Sequence, residues 1–283
     1  MNSPAITDLL PVINSLPSLS AVVLDLLQSL GHEEVGNTLL AQKISQDQAL
    51  SARTLKLANS SFYGSSFRSK TVHEAVAVLG SKTIRRLATA SALIDGLQGG
   101  GRSGFDVTSL WRHSIATALC AAELAQATDG PSDIAYVAGL LHDVGRLALA
   151  THLPTEYQQA MAYRAQQDCS VLQAERQVLG TDHSAVGEAL AQHWKLPEEL
   201  QQAVACHHAV RAGNKGLLPI IVLAADAMVH AMDLAQDPGE AVPPIPALVW
   251  STLALNDEAL QRVMRKALPH GLKRVAGGMR LPR

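Results

Sequence analysis

An all-α fold is what this sequence predicts, and three observations carry that expectation. Apolar residues recur three and four positions apart in nearly every stretch between glycines and prolines, the spacing of one face of a helix. Strict period-two alternation, the mark of a half-buried strand, is almost absent. The chain is rich in Ala and Leu, and Phe, Trp and Tyr together make only 4% of it. With 283 residues, 47% of them hydrophobic and 17% charged, it has the apolar mass for a real core and a composition opposite to that of a disordered chain.

The elements are justified in chain order. An apolar stripe over 19–30 ends at Gly31, and a helix over 46–59 carries Leu50, Leu57 and Ala58. Thr71 and Glu74 have the spacing of a capping box and open a helix that stops at Gly80. A helix over 82–97 runs into a Gly-rich stretch, 98–104, the best internal boundary in the chain. Asp106 then caps a long helix to about Ala127, with Leu110, His113, Thr117 and Cys120 on one face. Gly130-Pro131-Ser132 starts a helix expected to run unbroken to Ala150, its middle apolar all round. Pro154, Gly180, Pro197 and Gly216 divide the remainder into four further helices. A Pro-rich loop over 236–246 and a last helix over 257–267 lead to a basic tail, read as a solvated and partly mobile C-terminus. Three parts are therefore expected, over 1–100, 105–235 and 236–283.

Composition also excludes. The formal net charge is -2, which does not suggest a polyanion binder, and only the tail, from Arg262 onward, keeps a nucleic-acid role in view. Three scattered cysteines form no disulfide framework and fit a reducing compartment. The N-terminus lacks a basic region followed by a continuous apolar run, and the most apolar later stretch, 217–232, is too short to cross a bilayer. A cytoplasmic protein with no membrane association is expected.

The chemistry gathers in seven residues: His113, His142, Asp143, His183, His207, His208 and Asp226. Taken singly, each has an ordinary explanation. His113 lies on an apolar stripe, His183 follows a helix cap at Thr181 or Asp182, and Asp226 sits inside an apolar helix where it could hold a His or Arg. Asp143 is harder to dismiss. It follows the apolar run 134–141, and a carboxylate buried there needs a cation, a metal or hydrogen-bond donors. As a set, imidazoles and carboxylates suit a divalent transition metal such as Fe, Mn, Zn or Ni, and seven such groups suffice for one or two ions. Two ions about 3.5–4 Å apart, sharing a carboxylate, acidify a water and clamp a phosphoryl group. On a continuous helix, His142 and Asp143 diverge by about 100°, so a site they share must lie along the helix flank between them. Gly145 would let a neighbouring element approach closely, and Arg146 can meet a substrate phosphate.

In order, these pieces resemble the metal-dependent HD superfamily of phosphohydrolases, and His142-Asp143-Val144-Gly145-Arg146 resembles its HD[IV]GK signature. Leu16-Pro17-Ser18-Leu19, Ile44-Ser45-Gln46-Asp47, the segment 55–64 (LKLANSSFYG) and the segment 72–80 (VHEAVAVLG) resemble the HDOD domain, the HD-related output domain of bacterial signalling proteins. That resemblance covers about 10–235 and implies an N-terminal helical bundle packed on an HD-like lobe. By position it places His113 at the first superfamily histidine, His142 and Asp143 at the HD pair, His183 at the next histidine, His207 and His208 at the double histidine, and Asp226 at the closing aspartate. It also implies bacterial signal transduction through contacts with a protein partner, here with a retained metal site. The alternative it carries is an active phosphohydrolase on a nucleotide or other phosphoester, in which Asp143 bridges the ions and Arg146 steadies the phosphate. The sequence departs from the HD-GYP cyclic-di-GMP phosphodiesterases, because 208–216 (HAVRAGNKG) contains no Gly-Tyr-Pro triplet. Ser109, one turn before His113, stands where some of those enzymes place a Glu, which argues against a third metal.

Overall fold

The computed structural model describes residues 21–28, 37–59, 68–97, 105–209, 216–232 and 242–267, and every regular element among them is an α-helix. Leu16 to Leu19, Gly31, the segment 60–64, the Gly-rich boundary, most of the stretch after His208, residues 236–241 and the tail beyond Ala267 lie outside the described residues.

The first helices are α1 (Ala21–Gln28), α2 (Asn37–Ser45), α3 (Gln48–Ala58), α4 (Val72–Leu79) and α5 (Ser81–Gly96). They enclose a small core that includes Leu26, Leu40, Ile44, Leu50, Val76 and Ile84. Helix α2 has no counterpart among the elements expected from the sequence, and its only buried residues are Leu40, Ala41 and Ile44. Thr71 caps α4 as expected, its hydroxyl accepting from the Glu74 N–H at 3.1 Å. The reciprocal half of the box is displaced by one residue: Glu74 Oε2 accepts from the Lys70 N–H at 2.6 Å. Asn59 closes a second clip, its side chain donating to the Ser69 carbonyl and accepting from the Ser69 N–H, both at 2.8 Å.

Helix α5 joins this bundle to the larger lobe. Its Leu93 and Ile94 belong to the main core. Arg86 donates to Asp133 Oδ1 at 3.2 Å and to Ser132 Oγ at 2.6 Å, at the start of the next helix pair.

The lobe is built around α6 (Val107–Ala127), which packs against α7 (Ser132–Leu141) and, later in the chain, α13 (Leu218–Ala231) and α15 (Asp257–Ala267). Asp106 caps α6, accepting from the Ser109 N–H at 2.9 Å. Gly139 lets α7 lie against α6 so closely that a Cβ there would sit 2.7 Å from the Ala118 Cα. Between them run α8 (Val144–His152), α9 (Pro154–Gln167), α10 (Val171–Leu179), α11 (His183–His193) and α12 (Glu198–Cys206), with α14 (Ala247–Leu253) after α13.

Three expectations are corrected. The single helix over 132–150 breaks at His142 and Asp143, where Asp143 takes φ -99 and ψ 11, the sparsely populated bridge region. Apolar pattern alone does not reveal that break, because both halves are buried. The stretch with four expected helices after Pro154 holds five. Asp168 turns into the left-handed region at φ 48 and ends α9, and Ser170 with Gln173 forms a full capping box that opens α10. The basic region beginning at Arg262 is docked rather than loose as far as Ala267: Val263 is buried, Arg262 pairs with Glu258 at 3.6 Å, and Lys266 reaches Glu123 of α6 at 3.0 Å. No described helix is long and apolar enough to cross a membrane.

Candidate metal centre

Each of the seven residues reaches the middle of the lobe from a helix end or an inward face. His113 comes from the buried face of α6, and His142 and Asp143 from the break between α7 and α8. His183 is the first residue of α11, behind the cap Asp182, which accepts from the Ala185 N–H at 2.9 Å and from Arg176 at 2.7 Å. His207 and His208 come just after the last turn of α12, and Asp226 lies on the inner face of α13. Helices α8 and α11 approach through Gly145, where an added Cβ would overlap the His183 carbonyl oxygen and stand 2.8 Å from the Gly187 nitrogen. The close approach expected at Gly145 is thus made by the element that carries His183.

The seven side chains converge, in two groups that share Asp143. In the first, His113 Nε2 lies 3.1 Å from His142 Nε2 and 2.9 Å from Asp226 Oδ1, and His142 Nε2 is 3.6 Å from both Asp226 Oδ1 and Asp143 Oδ2. In the second, His183 Nε2 lies 2.7 Å from His208 Nε2 and 3.3 Å from His207 Nε2. Asp143 Oδ1 stands 3.4 Å from His183 and 3.5 Å from His207. One carboxylate oxygen therefore faces each group. Donors bound to one ion at about 2.0–2.2 Å sit roughly 3.0–3.5 Å from their neighbours, so these separations match the edges of a coordination shell.

The outward ring nitrogens decide what the inward ones present. His142 Nδ1 donates to the Gly139 carbonyl at 2.7 Å, His207 Nδ1 to the Val204 carbonyl at 2.6 Å, and His183 Nδ1 to Glu175 Oε2 at 2.5 Å. In the neutral tautomer this assigns, each Nε2 carries a lone pair pointing inward. Lone pairs at such distances repel unless a proton or a cation lies between them. His113 differs: its Nδ1 is buried with no partner among the described residues.

Electrostatics here are set by burial and company. Burial alone would raise Asp143, but His142 first, then Arg146, His207 and His183, hold it well below the usual carboxylate range. Asp226 is likewise held low against burial by the imidazoles of His113, His142 and His230. Burial depresses His142 and His183, yet the carboxylates facing them outweigh it and raise both above an ordinary histidine. His207 and His208 are pulled down, by burial and then, at His208, by the neighbouring imidazoles. Two ionised carboxylates facing a set of imidazoles, which lose any proton they carry when they bind a metal, are a donor set that fits a divalent transition metal.

A cavity of about 670 Å³ opens onto both groups, reaching Asp143, His183, His208 and Asp226. Arg146 lines it too, donating to Asp143 Oδ2 at 3.2 Å and to the Tyr157 hydroxyl at 3.3 Å. Burial pushes that hydroxyl up to about 12.

Two members of the cluster lie outside the seven residues picked from the sequence. Glu175, fully buried on α10, also accepts from the His183 backbone N–H at 2.9 Å. It stands three and four residues from Val171, Leu172, Val178 and Leu179, at the centre of the apolar stripe of its helix, and a carboxylate in that place is a local signal of the same kind as Asp226. His230 was findable: it stands four residues after Asp226 on one helix, and its Nε2 lies 3.3 Å from Asp226 Oδ1.

Comparison with known proteins supplies the family. A protein of Treponema pallidum (strain Nichols), itself uncharacterized, is 27% identical over 235 residues, which are 82% of this chain and 45% of that protein. The chain thus spans under half the length of that relative. The crystal structure of an HDOD domain protein of unknown function from Geobacter sulfurreducens superposes with a TM-score of 0.73 at 27% identity, over 97% of this chain and 90% of that one. One from Shewanella amazonensis SB2B, provisionally described as a phosphohydrolase, gives 0.73 at 25% identity, over 97% and 99%. Residues 16–210 match the family model of the HDOD domain, well over half the sequence, and the chain belongs to that family.

Proposed function

We propose that this protein is a bacterial signal-transduction protein that acts through contacts with a protein partner and whose lobe holds an HD-type centre of two divalent transition-metal ions. The observation that carries the reading is the division of one carboxylate: Asp143 Oδ2 turns to the His142 side and Oδ1 to His183 and His207. His113, His142 and Asp226 would hold the first ion and His183, His207 and His208 the second, with Asp143 shared. The ions would join buried polar groups from across the lobe into one satisfied cluster and so stabilise the body whose surface meets the partner. The test is metal analysis of protein purified without added ions. One to two transition-metal equivalents are expected, falling sharply in Asp143→Asn, and a wild-type protein that stays metal-free and takes up none on titration would refute the reading.

A second reading, a metal-dependent phosphohydrolase, is favoured by the cavity. It brings the same residues into contact with a space large enough for a nucleotide-sized phosphoester and sets Arg146 on its wall. Bound divalent ions would supply an acidified water and positive charge for the phosphoryl oxygens. The chain's part is positional: Arg146, steadied by Tyr157, offers its guanidinium to a phosphate oxygen, and Asp143 stays ionised between the two groups. Hydrolysis of bis(4-nitrophenyl) phosphate with added Mn(II) or Fe(II), lost in a folded Asp143→Asn variant, would establish activity. A metal-loaded but inert protein would leave the signalling role alone.

A further inference from the structure

Resting on the two-ion reading, we propose that His230 is itself a ligand of the first ion, taking up a position on its cavity side, and leaves the second ion with more room to meet a phosphoester. His230 falls outside the seven positions of the HD-type pattern, and three observations place it in the shell. It lies one turn beyond Asp226 on α13, so both side chains leave the same face of the helix. Its Nε2 is 3.3 Å from Asp226 Oδ1, the oxygen that His113 Nε2 approaches at 2.9 Å and His142 Nε2 at 3.6 Å. Its ring lies against that of His113, centroids 4.5 Å apart and planes inclined at 35°, and the Nε2 atoms of both rings approach the same Asp226 Oδ1. The donor atoms of His113, Asp226 and His230 lie within 4.8 Å of one another.

The alternative is that His230 only donates a hydrogen bond to Asp226. A carboxylate oxygen has room for few donors, and three imidazole nitrogens crowd this one. If His142 carries its proton on Nδ1, its Nε2 cannot donate, and a cation at the meeting point satisfies all three nitrogens at once. The layout of the second group supports the same assignment. There His207 is fully enclosed while His183 and His208 line the cavity; in the first group His113 and His142 are enclosed while His230 lines the cavity beside Asp226. Each ion position thus has an enclosed imidazole behind it and at least one imidazole toward the opening. The first, however, has five protein donors against four for the second, so the second keeps more room for an incoming oxygen.

The test titrates the full chain, stripped with chelator, with Zn(II) and Co(II), comparing wild type with His230→Gln and His230→Ala. Gln keeps a hydrogen-bond donor for Asp226 but is a poor transition-metal ligand. If His230 is a ligand, both variants bind one of the two ions more than about 100-fold more weakly, beyond the roughly 10–100-fold typical of losing an outer partner. The other ion is unaffected, and the Co(II) absorption of the weakened position changes. Should Gln retain both ions with wild-type affinity, the inference fails while the two-ion reading stands. Should wild type bind no ion, the reading beneath it fails instead. A crystal structure of the Zn(II)-loaded wild type needs no variant: His230 Nε2 is expected about 2.0–2.1 Å from zinc, and a zinc ion there with His230 turned away would overturn the proposal.

Discussion

Glu175 grips His183 twice, taking a hydrogen bond from its backbone N–H at 2.9 Å and another from Nδ1 at 2.5 Å. The same carboxylate fixes the start of α11 and the tautomer of the ring at that start. A helix-terminal N–H and an imidazole that must present Nε2 inward are thereby locked by one buried group.

Replacing Glu175 with Gln should therefore act on metal binding before it acts on the fold. The amide oxygen can still accept from the backbone, but it no longer holds Nδ1–H with a charge, and the ring loses basicity. Affinity for the ion shared by His183, His207 and His208 is expected to fall by about 10–100-fold. Competition with a chromophoric chelator would measure this, and circular dichroism should show the helix content retained.

Gly145→Ala tests how the helices bring the two groups together. The new Cβ would overlap the His183 carbonyl oxygen, backbone that cannot rotate away, so α8 and α11 must separate. Urea denaturation should show a loss of about 1–3 kcal/mol, the usual cost of overpacking. Metal content should fall with it, since Asp143 and His183 ride on the separating helices. A variant of wild-type stability would contradict the observed approach of α8 and α11.

The two ion positions should fill unequally. At the second, His183 and His207 are held with Nδ1–H satisfied, so that each Nε2 presents a lone pair inward. At the first, His113 must carry its proton on Nδ1 to free Nε2, and that nitrogen is buried without an acceptor among the described residues. Burying an unmatched donor costs about 1–3 kcal/mol, or roughly 5–150-fold in affinity. Calorimetric titration of stripped protein should resolve a tight and a weaker step, and His183→Ala should remove the tight one.

Proton competition sets the pH dependence. His142 and His183 stand above the ordinary histidine value in the metal-free protein, so on acidification they take up protons before a free histidine would. Metal binding must displace those protons. Affinity should then be greatest above the raised values and fall as pH drops through them, starting on the alkaline side of about 6.5. Asp143 and Asp226, held low, remain ionised throughout and do not contribute over that range. Titrations in buffers of different ionisation enthalpy should report protons released on binding, and a pH-independent affinity would contradict this.

How much of this was legible in the sequence divides along physical lines. The helices with strong caps, such as those after Thr71, Asp106 and Asp182, announced themselves, because a cap is a local pattern. The break at Asp143 did not, since it lies between two apolar halves and is set by what the side chain meets across the core. That break also removes the constraint of a shared helix flank for His142 and Asp143. Convergence of the seven residues is a long-range property, suggested by resemblance and by the oddity of carboxylates in apolar helices. His230 could have been found from its spacing to Asp226. Glu175 could have been found as well, since Val171, Leu172, Val178 and Leu179 put it on the apolar face of its own helix, but that it faces His183 is long-range and not legible there.

The central claim, one carboxylate shared between two cations, is tested most directly by electron paramagnetic resonance of the stripped protein reloaded with Mn(II). Two ions about 3.5–4 Å apart are expected to give the closely spaced hyperfine lines of an exchange-coupled pair, replaced by isolated-ion signals in Asp143→Asn. Wild-type protein at two bound equivalents showing only isolated six-line Mn(II) spectra would contradict it.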